Sequence, residues 1–222
     1  MRKQTWFTGG VVMLGLALNG CGGGGGGSSA PTTYDLDALV SAYVRVKHDY
    51  TLSATSGGNT FTLQLGSVPG PSATFGTLTA DTSAATFELF ENGTLVGNDT
   101  STRFYEVNPY EPIGEYDATT GYVTVYGGQQ RLPSAATVGD TGSLATATIY
   151  YDTSLTSVFG TLTDTWTLNA ASGGDAVFCA DLSESTASGP STESDCYTID
   201  PAGNVLGLTI TLLVNGVEVT FQ

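Results

Sequence analysis

The sequence predicts an all-β protein: an antiparallel β-sandwich or open barrel of roughly ten to twelve short strands, preceded by one short helix. Three observations carry this. Val44, Val46, His48, Tyr50 and Leu52 alternate with Arg45, Lys47, Asp49, Thr51 and Ser53, the period of two of a half-buried strand. Turn clusters recur along the whole chain: Pro69-Gly70-Pro71, Gly127-Gly128, Gly139-Asp140-Thr141-Gly142, Gly173-Gly174-Asp175 and Asp200-Pro201-Ala202-Gly203. Helical crossovers between the strand signals are missing, which disfavours a parallel α/β arrangement.

The elements follow in order. Leu36, Leu39, Val40 and Tyr43 sit at helical spacing behind Asp35, which suits an N-cap. The alternating run then meets Ser56-Gly57-Gly58-Asn59, and Phe61, Leu63 and Leu65 resume beyond it, so the two runs form a hairpin. Asn92-Gly93 marks a second hairpin, between Phe87 to Phe90 and Leu95-Val96. Leu162, Trp166 and Leu168 share one face of a strand whose other face is Thr161, Thr163, Thr165 and Thr167. Asp164 interrupts the apolar face, which places it near an edge or an opening. At the C-terminus Asn215-Gly216 is the favoured type I′ pair. It predicts the pairs Val214–Val217, Leu212–Val219 and Ile210–Phe221 on one apolar face.

The start of the chain has a different character. Arg2 and Lys3 precede an apolar stretch, Trp6 to Leu18, that is shorter than the roughly 17–25 residues of a spanning helix. It fits the short apolar region of a secretory signal. The following Leu18-Asn19-Gly20-Cys21 resembles the lipobox of bacterial lipoproteins, although Asn19 departs from the usual small residue at its position. That resemblance covers about the first 30 residues. It implies cleavage before Cys21, acylation of the Cys21 sulfur and amine, and, with Gly22 following, sorting to the outer membrane of a two-membrane bacterium. The organisation is then a signal peptide at 1–20, an acylated Cys21 with a Gly/Ser-rich tether at 21–33, and one all-β domain at 34–222. A subdivision near 127–133 is the alternative. With Cys21 acylated, Cys179 and Cys196 remain as a disulfide pair in a compartment where disulfides persist. Closing a loop of that length contributes on the order of 3 kcal/mol.

The formal net charge is −15, from 21 acidic and six basic residues, and cleavage would remove Arg2 and Lys3. Such a surface repels phosphate backbones, so nucleic acid is excluded as a partner. The expected partners are the membrane through the anchor and an envelope protein or glycan.

Candidate sites are few. Tyr105, Tyr110, Tyr116, Tyr122 and Tyr126, with Glu111, concentrate between Phe104 and Tyr126, while Pro109 and Pro112 hold part of the stretch out of regular structure. Flat aromatic faces beside carboxylates suit a polar ligand such as a sugar. Asp181, Glu184, Glu193 and Asp195 lie between the paired cysteines, in a segment expected to be a solvated excursion. Their oxygens could hold Ca²⁺, but the spacing of a calcium loop is lacking, and no metal site or cofactor is assigned. His48 is the lone histidine, in phase with Val46 and Tyr50 and expected to be packed or on an edge strand. No G-x-S-x-G elbow accompanies it, and no catalytic residue is assigned. The function expected is non-enzymatic binding of a ligand or partner by a lipid-anchored envelope domain. The alternatives are a glycan hydrolase using paired carboxylates and a carrier of an apolar ligand in a curved half-barrel.

Overall fold

The computed structural model describes residues 31–107, 110–214 and 216–222. The leader, Cys21, the tether through residue 30, Pro109 and Asn215 lie outside the described residues. A short strand β1 (Thr33–Tyr34) leads into helix α1 (Leu36–Arg45). Strands β2 (His48–Ser56), β3 (Asn59–Phe75), β4 (Leu78–Glu91), β5 (Thr94–Glu106), β6 (Glu111–Asp117) and β7 (Val123–Gly127) follow as a meander. A two-residue strand β8 (Ala136–Thr137) pairs with β1. The meander resumes with β9 (Thr141–Tyr150), β10 (Val158–Ala170), β11 (Ala176–Thr186), β12 (Gly189–Ile199), β13 (Val205–Val214) and β14 (Val217–Phe221).

Twelve of these strands form one antiparallel sheet, each paired with its neighbour in sequence save that β7 pairs with β9. The sheet therefore runs on across 127–133. Its two ends meet: the Ser53 amide donates to the Gln222 carbonyl at 3.0 Å, and the Gln222 amide returns the bond at 3.1 Å. The sheet is thus nearly closed into a barrel, which decides between the two architectures left open by the strand pattern. Closure leaves few exposed backbone groups at the sheet's ends.

A barrel of eight strands is just filled by its own side chains, and twelve leave room inside. Here α1 takes up part of that room. The Asp35 carboxylate accepts from the Ala38 amide at 2.9 Å and caps the helix, as expected. Leu36 and Leu39 are buried against Trp166, Leu168, Phe178 and Ile199, closing one end of the barrel. The Leu36 amide donates to the Pro133 carbonyl and the Asp35 amide to the Pro201 carbonyl, so two loops hold the helix start. A second apolar cluster lines the seam, with Leu52, Leu63, Leu89, Leu212 and Phe221 among its members. A third joins Ala147, Ile149, Phe159 and Leu162.

Local expectations mostly met these strands. Ser56 pairs with Asn59 across the first hairpin. Glu91 pairs with Thr94, and both Asn92 (φ 51°) and Gly93 (φ 79°) are left-handed, as a type I′ turn requires. Val214 pairs with Val217, Leu212 with Val219 and Ile210 with Phe221. Leu162, Trp166 and Leu168 are buried and Thr161, Thr163 and Thr165 exposed. Cys179 and Cys196 are directly opposed in register and disulfide-bonded.

Four expectations are corrected. Val44 belongs to the helix, because it is buried one turn beyond Val40, and β2 starts only at His48. Pro69-Gly70-Pro71 makes no turn; β3 runs through it, and the register shift between Gly70 and Ala73 removes Pro71 and Ser72 from the ladder. Pro112 stands inside β6, opposite Tyr105 at another such shift. The segment between the cysteines is no excursion but the regular hairpin of β11 and β12. Its polar sequence hides the alternation because several inward positions are acidic.

Gly203 gives a direct test of how the helix is seated. Its φ is +82°, and a Cβ there would stand 2.3 Å from the Asp35 carbonyl oxygen. Gly203→Ala should therefore cost about 1–3 kcal/mol, read as a lower urea midpoint with an unchanged slope. A variant as stable as the parent would contradict the close approach.

Candidate functional site

The three apolar clusters do not fill the barrel. Between them lies a cavity of about 370 Å³, walled by α1 and by inward side chains of most strands. One wall is β5 and β6, where Arg103 and Glu115 are a cross-strand pair with Nε and Oε2 3.6 Å apart. Arg103 keeps 44% of its side chain accessible while lining this cavity. The Glu115 carboxylate beside it holds the guanidinium well above its ordinary value, outweighing burial.

The facing wall is β10 to β13. Asp164 on β10 is followed across the sheet by Leu182 on β11 and Glu193 on β12. Asp164 therefore occupies a central strand and turns into the cavity, a correction to the expected edge position. Burial, helped by Asp195 and Asp181, pushes its carboxyl up to about 8. Glu193 and Asp195, two residues apart on one face of β12, share a side-chain hydrogen bond. Burial and then Asp195 drive Glu193 well above the usual carboxylate range, and burial also raises Asp195. Asp164 Oδ1 and Asp195 Oδ1 are buried and meet no hydrogen-bond donor among the described residues.

Tyrosines bridge the walls. Tyr43 of α1 stacks on the His48 ring at 4.6 Å between centroids and meets Tyr197 edge-on at 5.9 Å. Burial lifts the Tyr43 hydroxyl to about 12 and raises Tyr105, Tyr126 and Tyr197, so all four are neutral at physiological pH. His48 is half-buried on the terminal strand β2, its Nδ1 3.4 Å from the Tyr50 hydroxyl.

At the mouth, Tyr110 donates to Asp81 Oδ2 at 3.0 Å and accepts from Arg45 Nε at 2.9 Å. Arg131 pairs with Asp37 at 2.8 Å.

The tyrosine segment largely converges here. Tyr105, Tyr110, Tyr122, Tyr126 and Glu111 line the cavity, whereas Tyr116 faces outward and is 38% exposed. The four carboxylates between the cysteines separate. Asp181 turns to the opposite face from Ala180 and Leu182 and accepts from Ser194 Oγ at 2.8 Å. Glu184 is buried and accepts from Ser191 Oγ. Only Glu193 and Asp195 reach the cavity. Strand alternation thus takes Asp181 away from any calcium site shared by the four. Among the described residues no three His, Cys, Asp or Glu side chains converge at metal-ligand spacing.

Tyr43, Arg103 and Tyr197 were not singled out in the sequence. Only Arg103 carried a signal, as one of few basic residues in a strongly acidic chain.

Compared with family models, curated proteins and solved structures, the chain matches none. The cavity itself must carry the functional reading.

Proposed function

We propose that the chain is a lipid-anchored protein of the bacterial envelope whose barrel binds a small polar ligand without transforming it. The observation that carries this reading is the cavity of about 370 Å³, near the lower end of the roughly 300–1,000 Å³ of small-molecule sites. Aromatic faces and a few convergent polar groups are what such a site offers a small ligand. An apolar cargo fits this chemistry less well, since it would leave Asp164 Oδ1 and Asp195 Oδ1 without a donor. For glycan hydrolysis two carboxyl groups must flank the bond at about 5–9.5 Å. Glu193 and Asp195 are instead hydrogen-bonded to one another.

The test is thermal denaturation against a panel of amines, sugars and carboxylic acids. At least one class should raise the midpoint, and Ala180→Phe, which fills the cavity from β11, should abolish that rise. No rise with any class, or one that survives the filled cavity, overturns the reading. The anchor is tested separately. Cys21→Ser should release the protein from the membrane fraction, and retention there would remove the proposed location.

A further inference from the structure

The charge of the cavity wall selects among ligands, and the inference that follows rests on the binding reading above. Eight carboxylate side chains line the cavity against two guanidinium groups. On an acidic protein's surface such an excess costs little, because water solvates each charge. Inside a barrel every carboxylate must find a donor, a counter-charge or a proton. Both guanidinium groups are already engaged, Arg103 with Glu115 and Arg131 with Asp37. Arg103 still attracts Glu193 and Asp195 through space, but burial outweighs it, and Asp164 Oδ1 and Asp195 Oδ1 meet no donor among the described residues. The wall is thus short of positive N–H donors and has no surplus cation for an anionic ligand.

We propose that the ligand is a small organic ammonium compound, seated with its N–H donors on Asp164 and Asp195 and its carbon skeleton against the cavity tyrosines. Tyrosine faces attract such cations when they are desolvated. A bare metal ion is the poorer match, because the carboxylates do not converge at ligand spacing among the described residues.

Binding is coupled to proton release. Within the cavity Asp164 lies with Tyr126 from β7 and Glu193 and Asp195 from β12, with Arg103 and Glu115 on the far wall, while Asp181 repels its charge from the other face of β11. Apart from Arg103 none of these offers it a positive charge, so it carries a proton near neutrality. An arriving ammonium group favours the ionised form, and the proton leaves to solvent. Affinity should rise with pH up to about 8 and level off above it.

The experiment is calorimetric titration of the full chain with 1,4-diaminobutane, glucose and succinate, at pH 6 and pH 8, in two buffers of different ionisation enthalpy. The diamine should saturate, bind about tenfold or more tightly at pH 8 than at pH 6, and release protons. Asp164→Asn, which preserves shape and removes the charge, should weaken the diamine at least tenfold and flatten most of the pH dependence, the rest coming from Glu193 and Asp195. Circular dichroism of this variant checks that the barrel is retained. A diamine that fails to saturate, or that binds the variant equally well, overturns the inference. Saturation by glucose or succinate in its place leaves the binding site standing and removes only the cation. Silence from all three removes both.

Discussion

Replacing Asp164 by Asn should flatten much of the pH dependence of stability between about pH 4 and pH 8. The carboxyl sits at about 8 in the folded barrel and at 3.8 without it. From the lower to the higher value the unfolded chain has lost its proton while the folded one keeps it. The folded state binds more protons there, so stability is complete below about pH 4 and is lost as pH climbs through 8. Each pH unit of that window is worth about 1.4 kcal/mol, and relaxation of the cavity reduces the total to roughly 3–5 kcal/mol. Asparagine needs no proton, so the variant should match the parent near pH 4 and exceed it at pH 8. Glu193 and Asp195 are raised in the same direction and should supply whatever slope remains. Asp152 and Asp200 are lowered by their own turn hydrogen bonds, so their contributions fade only below the usual carboxylate range. Urea unfolding at pH 4, 6 and 8 measures all of this. A parent that gains stability from pH 4 to pH 8 would refute the buried proton.

Phe221→Ala should cost about 3–5 kcal/mol, the range for emptying a fully buried aromatic site. Phe221 has no exposed surface and packs in the cluster that closes the sheet, opposite Ile210. The next residue, Gln222, forms the two backbone bonds to Ser53 that join β14 to β2. Loss of the ring should therefore loosen the seam before the rest of the barrel. Hydrogen exchange should accelerate at Ser53 and along β14 while amides of β10 and β11, central to the sheet, stay protected. Uniform acceleration across the sheet would show that the seam has no separate weakness. The same variant predicts an altered cavity, since Leu65, Phe87, Leu208 and Ile210 line it and also pack in or against the seam cluster.

The two experiments concern opposite properties of one interior. The seam is apolar and stabilises the barrel by burial. The wall around Asp164 is acidic and gives up stability, which is what a site held ready for a ligand is expected to do.

Local chemistry was legible from the chain alone. Asp35 before Leu36 announced the helix, Asn92-Gly93 its hairpin, and the alternation of Leu212, Val214, Val219 and Phe221 the last ladder and its register. Each depends on neighbours within a few residues, where capping, left-handed turns and a period of two leave direct marks. The tyrosine-rich stretch was legible as a cluster, and five of its six named residues do line the cavity.

Closure was decided only in three dimensions. Ser53 and Gln222 are too distant in sequence for any local pattern to pair them, and a sandwich would have used the same strands. The site was hidden for a related reason. Asp164, Glu193 and Asp195 stand at inward positions that a pattern of buried residues reserves for apolar side chains, so Asp164 pointed to an edge and the other two to a solvated segment. Arg103 and Tyr43 reach the same space from a strand and a helix that share no local signal. Alternation states which face a residue takes; what lies beyond that face depends on how the sheet curls, and here it curls round a cavity.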